Sequence, residues 1–243
     1  MTGGVDRADM EIAQTLSGLG ERDWVRETPD GSVRMAVIGL GGFANQHALP
    51  GIADGDFVET TVLVSGSAEK AERWAREWDA ERGITYEEFH DGAAVADYDA
   101  VYIVTPNALH LDFVTSAAEY GKHVICEKPL EATYERAESL VAACDAADVK
   151  LMTAYRLQTD PAIRRVRDLV TAGILGDLVS FHGEFSVRSL RGDRTEDHWR
   201  YDADLAGGGA MLDIGVYPLN TGRFVLGCDP VSVTGTTASP DPV

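Results

Sequence analysis

Three short stretches carry residue types that could do chemistry. The first, VICEKPLEA at 124–132, is an apolar run that ends in Glu127, Lys128 and Pro129. Lysine occurs only at 70, 122, 128 and 150, so an ammonium at the end of a strand-like run asks for a reason. A surface ion pair and a turn explain it as well as a site does. The second, GGGAMLDIGVYPLN at 207–220, places Asp213 and Tyr217 four residues apart, on one face of an expected helix. Glycines before that helix allow a ligand to approach closely. A phenol and a carboxylate so spaced suit proton transfer. Core packing of Tyr217 and simple solvation of Asp213 stay equally open.

The third stretch, VIGLGGFA at 37–44, is a G-x-G-x-x-A turn formed by Gly39, Gly41 and Ala44, with Gly42 and Phe43 between them. The first glycine permits a tight turn and the second lets a pyrophosphate near the backbone. The small third residue lets helix and strand pack closely, and the phosphates then sit at the helix N-terminus. A purely structural glycine turn is the alternative. An NAD site usually has an acid about 20 residues further on, at the end of the second strand. Here that strand ends LVSGSAEK, with Ser65 and Gly66 in the acid's place and Lys70 and Arg73 in the next turn. No carboxylate there repels a 2′-phosphate, and two cations are at hand, so NADP is expected over NAD. Lys70 pairing with acids on its own helix is the competing reading.

The elements that must position these residues follow a regular rhythm. VRMAVIG, VETTVLVSG, ADYDAVYIVTP, KHVICEKP and KLMTAY read as buried strands. They alternate with helices in NQHALPGIADG, SAEKAERWAREWDAE (opened by Ser67), NALHLDFVTSAAEYG (stopped by Gly121) and TYERAESLVAACDAADV (capped by Thr133). Continuous apolar strands between helices indicate a doubly wound α/β domain with a parallel sheet, over 33–153. Residues 1–32 read as an extension with a short helix near EIAQTLSGLG. Residues 154–243 read as part of an α+β domain with an open, mainly antiparallel sheet. Its helix lies in DPAIRRVRDLVTAG, and DLVSFHGEFSVRS and PVSVTGTTASP supply strands.

Bulk composition narrows the function classes. A net charge of −19 argues against nucleic acid, which needs a clustered basic surface. Acid excess with few lysines resembles proteins of salt-loving cytoplasms, where screening suppresses repulsion among surface carboxylates. No apolar run reaches the roughly 20 residues that span a bilayer, and the N-terminus lacks signal-peptide character. Cys126, Cys144 and Cys228 show no metal-type spacing, so no metal is expected and a reduced cytoplasm is.

Taken in order, VIGLGGFA, LVSGSAEKA, VYIVTPNALH, GKHVICEKPL, AYRLQTDP, HWRYDADLAGGGAMLDIGVYPLN and FVLGCDP resemble the glucose–fructose oxidoreductase/inositol dehydrogenase (Gfo/Idh/MocA) family. The likeness runs over 33–243 and is nearest to the NADP-using sugar branch. It implies hydride transfer from C1 of an aldose, D-xylose foremost, to NADP, giving an aldonolactone. Glucose–fructose-type, dihydrodiol and inositol dehydrogenases of the same family are alternatives, as is a non-catalytic NADP-binding module. It implies that Thr105, Pro106, Asn107 and His110 contact the nicotinamide end, with Glu127, Lys128, Arg156, Trp199 and Arg200 also at the cofactor. Tyr155 lies at the same end, and Lys128, Asp213 and Tyr217 form the catalytic set. A free tyrosine ionises near pH 10, so Tyr217 needs a cation, for which Lys128 is the implied partner. His198 is a further candidate, as readily structural. Relatives carry a longer C-terminal sheet domain, so 154–243 reads as incomplete, and a homo-oligomer is implied at full length.

Overall fold

The computed structural model describes residues 31–187 and 198–236. The expected helix near EIAQTLSGLG lies outside them. Within them the chain groups into two compact units. One holds residues 31–155 with 186–187 and 198–216, and the other holds 156–185 with 217–236.

The first unit is built on six parallel strands: β1 (Val33–Ile38), β2 (Val58–Ser65), β3 (Arg82–Thr85), β4 (Ala100–Ile103), β5 (His123–Glu127) and β6 (Leu151–Ala154). Their spatial order is β3-β2-β1-β4-β5-β6, so the order reverses between β1 and β4. In such a sheet, ligands bind beyond the strands' carboxyl ends at the reversal. The apolar runs explain the burial on both faces. Along β1, Ala36 and Ile38 enter one core layer while Met35 and Val37 enter the other. Each fully buried side chain such as Ile38, Leu63 or Ile103 contributes about 1.5–3 kcal/mol.

Helices connect the strands. The first begins as a π-helical turn (Ala44–Ala48) and continues as α1 (Leu49–Ala53). Next come α2 (Ala68–Glu77), α3 (Tyr86–His90), α4 (His110–Glu119) and α5 (Tyr134–Ala146). The sequence signals for their starts are physical caps. The Ser67 hydroxyl accepts the Lys70 N–H, and the Thr133 hydroxyl accepts the Arg136 N–H. Gly121, with φ +66°, ends the turn after α4. β3 and α3 were not expected, because RGIT offers only four residues and a glycine. That glycine is required: a Cβ on Gly83 would overlap the Ala71 carbonyl of α2.

The second unit contains α6 (Pro161–Thr171), which Asp160 caps through the Ala162 and Ile163 N–H groups, and most of the last helix. Among the described residues no strand lies beyond Ala154, and the ends of the expected strands DLVSFHGEFSVRS and PVSVTGTTASP lie outside them. Alternation such as that of Val179, Phe181, Phe185 and Val187 makes a strand only where neighbours satisfy the backbone groups. These side chains are exposed, Val179 at 96%.

Candidate active site

At the sheet's reversal point the glycine turn is built as its spacing implies. Gly39 has φ +98°, and a Cβ there would lie 2.8 Å from the Val104 carbonyl carbon, so a side chain is doubly excluded. Around Gly41 and Gly42 an added Cβ would meet nothing within 4 Å. Ala44 is fully buried, while Phe43 is exposed with its ring 5.2 Å from that of His47. The Thr105 hydroxyl is buried and has no hydrogen-bond partner. The open glycine cradle leaves room for a dinucleotide's pyrophosphate to approach the backbone.

At the end of β2, Ser65 is buried and its Oγ accepts the Ser67 N–H at 3.3 Å. A Cβ on Gly66 would press on the Tyr86 ring at 3.3 Å. Lys70 forms no ion pair among the described residues; its Nζ lies 5.3 Å from the Trp74 ring centroid. Arg73 is engaged with Glu77 at 3.8 Å.

The EKP residues open at the end of β5. Tyr102 on β4 donates to Glu127 Oε1 at 2.6 Å, and the Lys128 N–H donates to Oε2 at 3.2 Å. Burial pushes the Glu127 carboxyl above its ordinary value, against the Tyr102 bond and the nearby Lys128 and Arg200 charges. The Lys128–Pro129 peptide bond is cis. The Lys128 side chain, 12% exposed, donates to the Asp213 carbonyl at 2.6 Å and to Asp213 Oδ1 at 3.1 Å. Arg200 Nε donates to Asp213 Oδ2 at 3.2 Å. Burial alone would raise the Asp213 carboxyl, but the Lys128 and Arg200 charges outweigh it and hold the group below the usual carboxylate range.

Beside this triad is a cavity of about 250 Å3, lined by Asn107, Trp199, Arg200, Tyr201, Gly209 and Asp213 among others. The Arg200 guanidinium lies 4.4 Å from the Trp199 ring centroid. His198 serves the local turn: its Nδ1 accepts the Arg200 N–H, and its ring stacks on Trp199 at 5.9 Å. Asn107 Nδ2 donates to the carbonyl of Ala206 in α7 (Ala203–Ala206) at 2.9 Å. Gly207, with φ +75°, follows α7, and a Cβ there would overlap the Ala132 carbonyl oxygen.

Asp213 lies in a π-helical turn (Met211–Gly215) that runs into α8 (Val216–Leu226). Tyr217 falls in the second unit, half-buried, its ring 5.2 Å from Phe185 and 5.7 Å from the Arg156 guanidinium. In the first unit, the Tyr155 hydroxyl donates to the Val216 carbonyl at 3.3 Å.

His110 is fully buried, with Nε2 3.0 Å from the Thr105 carbonyl oxygen and Nδ1 3.1 Å from that of Leu130, and stands behind the Thr105–Asn107 turn. Tyr102 was not foreseen, although the parallel register pairs it with Ile125, two residues before Glu127. Nor were Glu131 and Arg136, whose ion pair at 2.9 Å sits under the EKP loop. No group of three or more His, Cys, Asp or Glu side chains is placed to hold a metal among the described residues.

Residues 33–155 match the family described as "Oxidoreductase family, NAD-binding Rossmann fold" (GFO/IDH/MocA), and residues 163–243 match the GFO/IDH/MocA C-terminal domain. The chain belongs to the Gfo/Idh/MocA oxidoreductase family. Among its Gfo/Idh/MocA relatives is "D-xylose 1-dehydrogenase [NADP(+)]" from Haloarcula marismortui, 51% identical over 95% of this chain and 64% of that protein. Solved structures similar to this chain include an aldose-aldose oxidoreductase from Caulobacter crescentus (33% identical, TM-score 0.71, 81% of this chain and 58% of that one). A second is a 3-ketoreductase from Actinomadura kijaniata in complex with NADP and TDP-benzene (32% identical, TM-score 0.70, 81% and 58%). The chain thus spans just under two thirds of the length of the curated relative it matches at 51% identity.

Proposed function

We propose that the protein oxidises an aldose at C1, D-xylose best, with NADP as the acceptor and the aldonolactone as product. The observation that carries this reading is Lys128, its ammonium seated on Asp213, which lines a cavity of about 250 Å3 with Asn107, Trp199 and Arg200. The 51% identity to a protein named as an NADP-dependent D-xylose 1-dehydrogenase supports the choice of sugar and cofactor.

In this reading the Gly39–Ala44 turn holds the pyrophosphate. Ser65, Gly66 and Lys70 take the 2′-phosphate, aided by the absence of an acid. Thr105, Pro106, Asn107, Glu127, Arg156, Trp199 and Arg200 surround the nicotinamide end. The bound cofactor supplies the hydride acceptor, and the protein's task is to orient C1 and remove the O1 proton. Tyr217 takes that proton, the role the family likeness gives it, with the Arg156 guanidinium 5.7 Å from its ring centroid. Asp213 fixes the Lys128 ammonium and orients the sugar. The lactone then hydrolyses without further enzymatic chemistry. The protein acts in the cytoplasm of a salt-adapted cell and as a homo-oligomer. Its NADP-binding domain covers 33–153, and residues 154–243 form the substrate and oligomerisation domain.

The test is NADP reduction at molar salt across pentoses, hexoses and inositol. D-xylose should give the highest kcat/KM, and NADP binding without turnover on any of them would move the protein to a non-catalytic class. The likeness to an aldose-aldose oxidoreductase favours one second reading, in which NADP stays bound and a second sugar accepts the hydride. Turnover that requires both sugars and releases no NADPH would select it.

A further inference from the structure

We propose that His110 is a positioning residue that clasps the Lys128 loop to the Thr105–Asn107 turn, so that both sides of the nicotinamide end move as one body. The inference rests on the reading above and concerns how that site keeps its geometry.

His110 opens α4, yet its ring turns away from every solvent-facing surface. The two carbonyls its nitrogens face belong to different loops. Thr105 carries the unsatisfied hydroxyl of the proposed cofactor site, and Leu130 stands two residues after Lys128. A neutral imidazole has a single N–H, so it bonds one carbonyl and presents a lone pair to the other. Burial pushes His110 below its ordinary value, against the Thr105, Leu130 and Pro129 backbone groups and the Glu131 charge. The ring thus bridges two loops with one donor at a fully buried position.

Glu131, in the loop after Leu130, and Arg136, in α5, reinforce the same junction. Glu131 Oε1 accepts the Leu111 N–H at 3.2 Å and Arg136 Nε at 3.0 Å. Glu131 Oε2 accepts the Ala132 N–H, and Arg136 Nη2 donates to the Ala108 carbonyl at 2.8 Å. Three side chains therefore tie residues 105–111 to residues 130–132, and the charges near His110 are Glu131 and its partner Arg136. The glycine turn at 39–44 takes no part. Releasing the clasp should let Lys128 drift relative to Thr105 while the pyrophosphate cradle stays intact. A displacement of about 1 Å costs such a site on the order of a hundredfold in rate.

The experiment compares wild type, His110→Phe, His110→Gln and the core control Leu140→Ala in the full-length protein. It measures kcat on D-xylose, NADP affinity, melting temperature and amide exchange by segment. His110→Phe should lower kcat about a hundredfold with NADP affinity unchanged. Exchange should rise together in 105–109 and 128–132 and stay unchanged in 39–44. His110→Gln, which keeps an N–H donor, should recover part of kcat, and Leu140→Ala should lower the melting temperature alone. If His110→Phe does not fold, His110→Gln must show the paired exchange increase. Loss of NADP affinity in step with kcat/KM would overturn the proposal in favour of direct contact. Lowered melting temperature with near-normal kcat would overturn it in favour of a structural role. If wild type oxidises no aldose, the function reading fails while exchange still decides the clasp: a rise in only one of the two loops refutes it.

Discussion

Neutralising Asp213 without changing its shape measures the ion pair at the head of the site. At the Lys128–Asp213 separation of 3.1 Å, an effective dielectric near 20 gives a gross attraction of about 5 kcal/mol. Removing both groups from water offsets much of this, since the side chains are only 12% and 31% exposed. A net value of about 2 kcal/mol remains, in the range of hydrogen bonds to charged groups. Asp213→Asn should then lower the melting temperature by roughly 4–8 °C, at 2–4 °C per kcal/mol for a protein of this size. Lys128→Met should cost more, because it also deletes the bond to the Asp213 carbonyl, which Asp213→Asn keeps. The assay is a double-mutant cycle by calorimetry, with a coupling energy of about 1–2 kcal/mol expected. Effects additive to within about 0.3 kcal/mol would show that the pair contributes nothing and that the argument from burial is wrong.

Three further outcomes are expected. Lys70→Glu should raise the Michaelis constant for NADP far more than that for NAD, measured by initial rates; equal effects would remove Lys70 from the 2′-phosphate site. Gly207→Ala should cost about 2–4 kcal/mol, from a strained positive φ and the overlap with Ala132, and an unchanged denaturation midpoint would contradict that packing. The Asp213 carboxyl sits below its unfolded value, so its stabilisation is present above about pH 4 and is lost as pH falls through the folded-state value. Asp213→Asn should therefore flatten the acid limb of the stability–pH curve, and two superimposable limbs would deny the shift.

Much of the sheet was legible because β1, β2 and β4 are buried on both faces and read as unbroken apolar runs. Ser67, Thr133 and Gly121 marked helix ends, since capping chemistry is local. β3 was not legible, for its four residues carry a single buried side chain and its glycine answers to a helix packed from elsewhere in the chain. The alternation around Phe181 and Phe185 promised a sheet that the described residues do not form, because period-two patterning says nothing about whether a partner strand is present.

The site was legible in part. Gly39 and Ala44 stand out by spacing, and Lys128 by rarity. Spacing could not reveal that Lys128 rests on Asp213, 85 residues away, or that Tyr102 holds Glu127 across two strands. His110 shows the limit most clearly: spacing does not say that it is fully buried with its ring nitrogens on two carbonyls.

In the proposed function Lys128 and Tyr217 serve proton removal during hydride transfer to NADP. The measurement is NADP reduction at saturating cofactor with D-xylose by wild type, Lys128→Met and Tyr217→Phe, with NADP affinity measured for each. Wild type should turn over while both variants lose at least about a hundredfold in kcat, the lower range for a general acid–base group. Near-normal turnover by both variants would contradict the account.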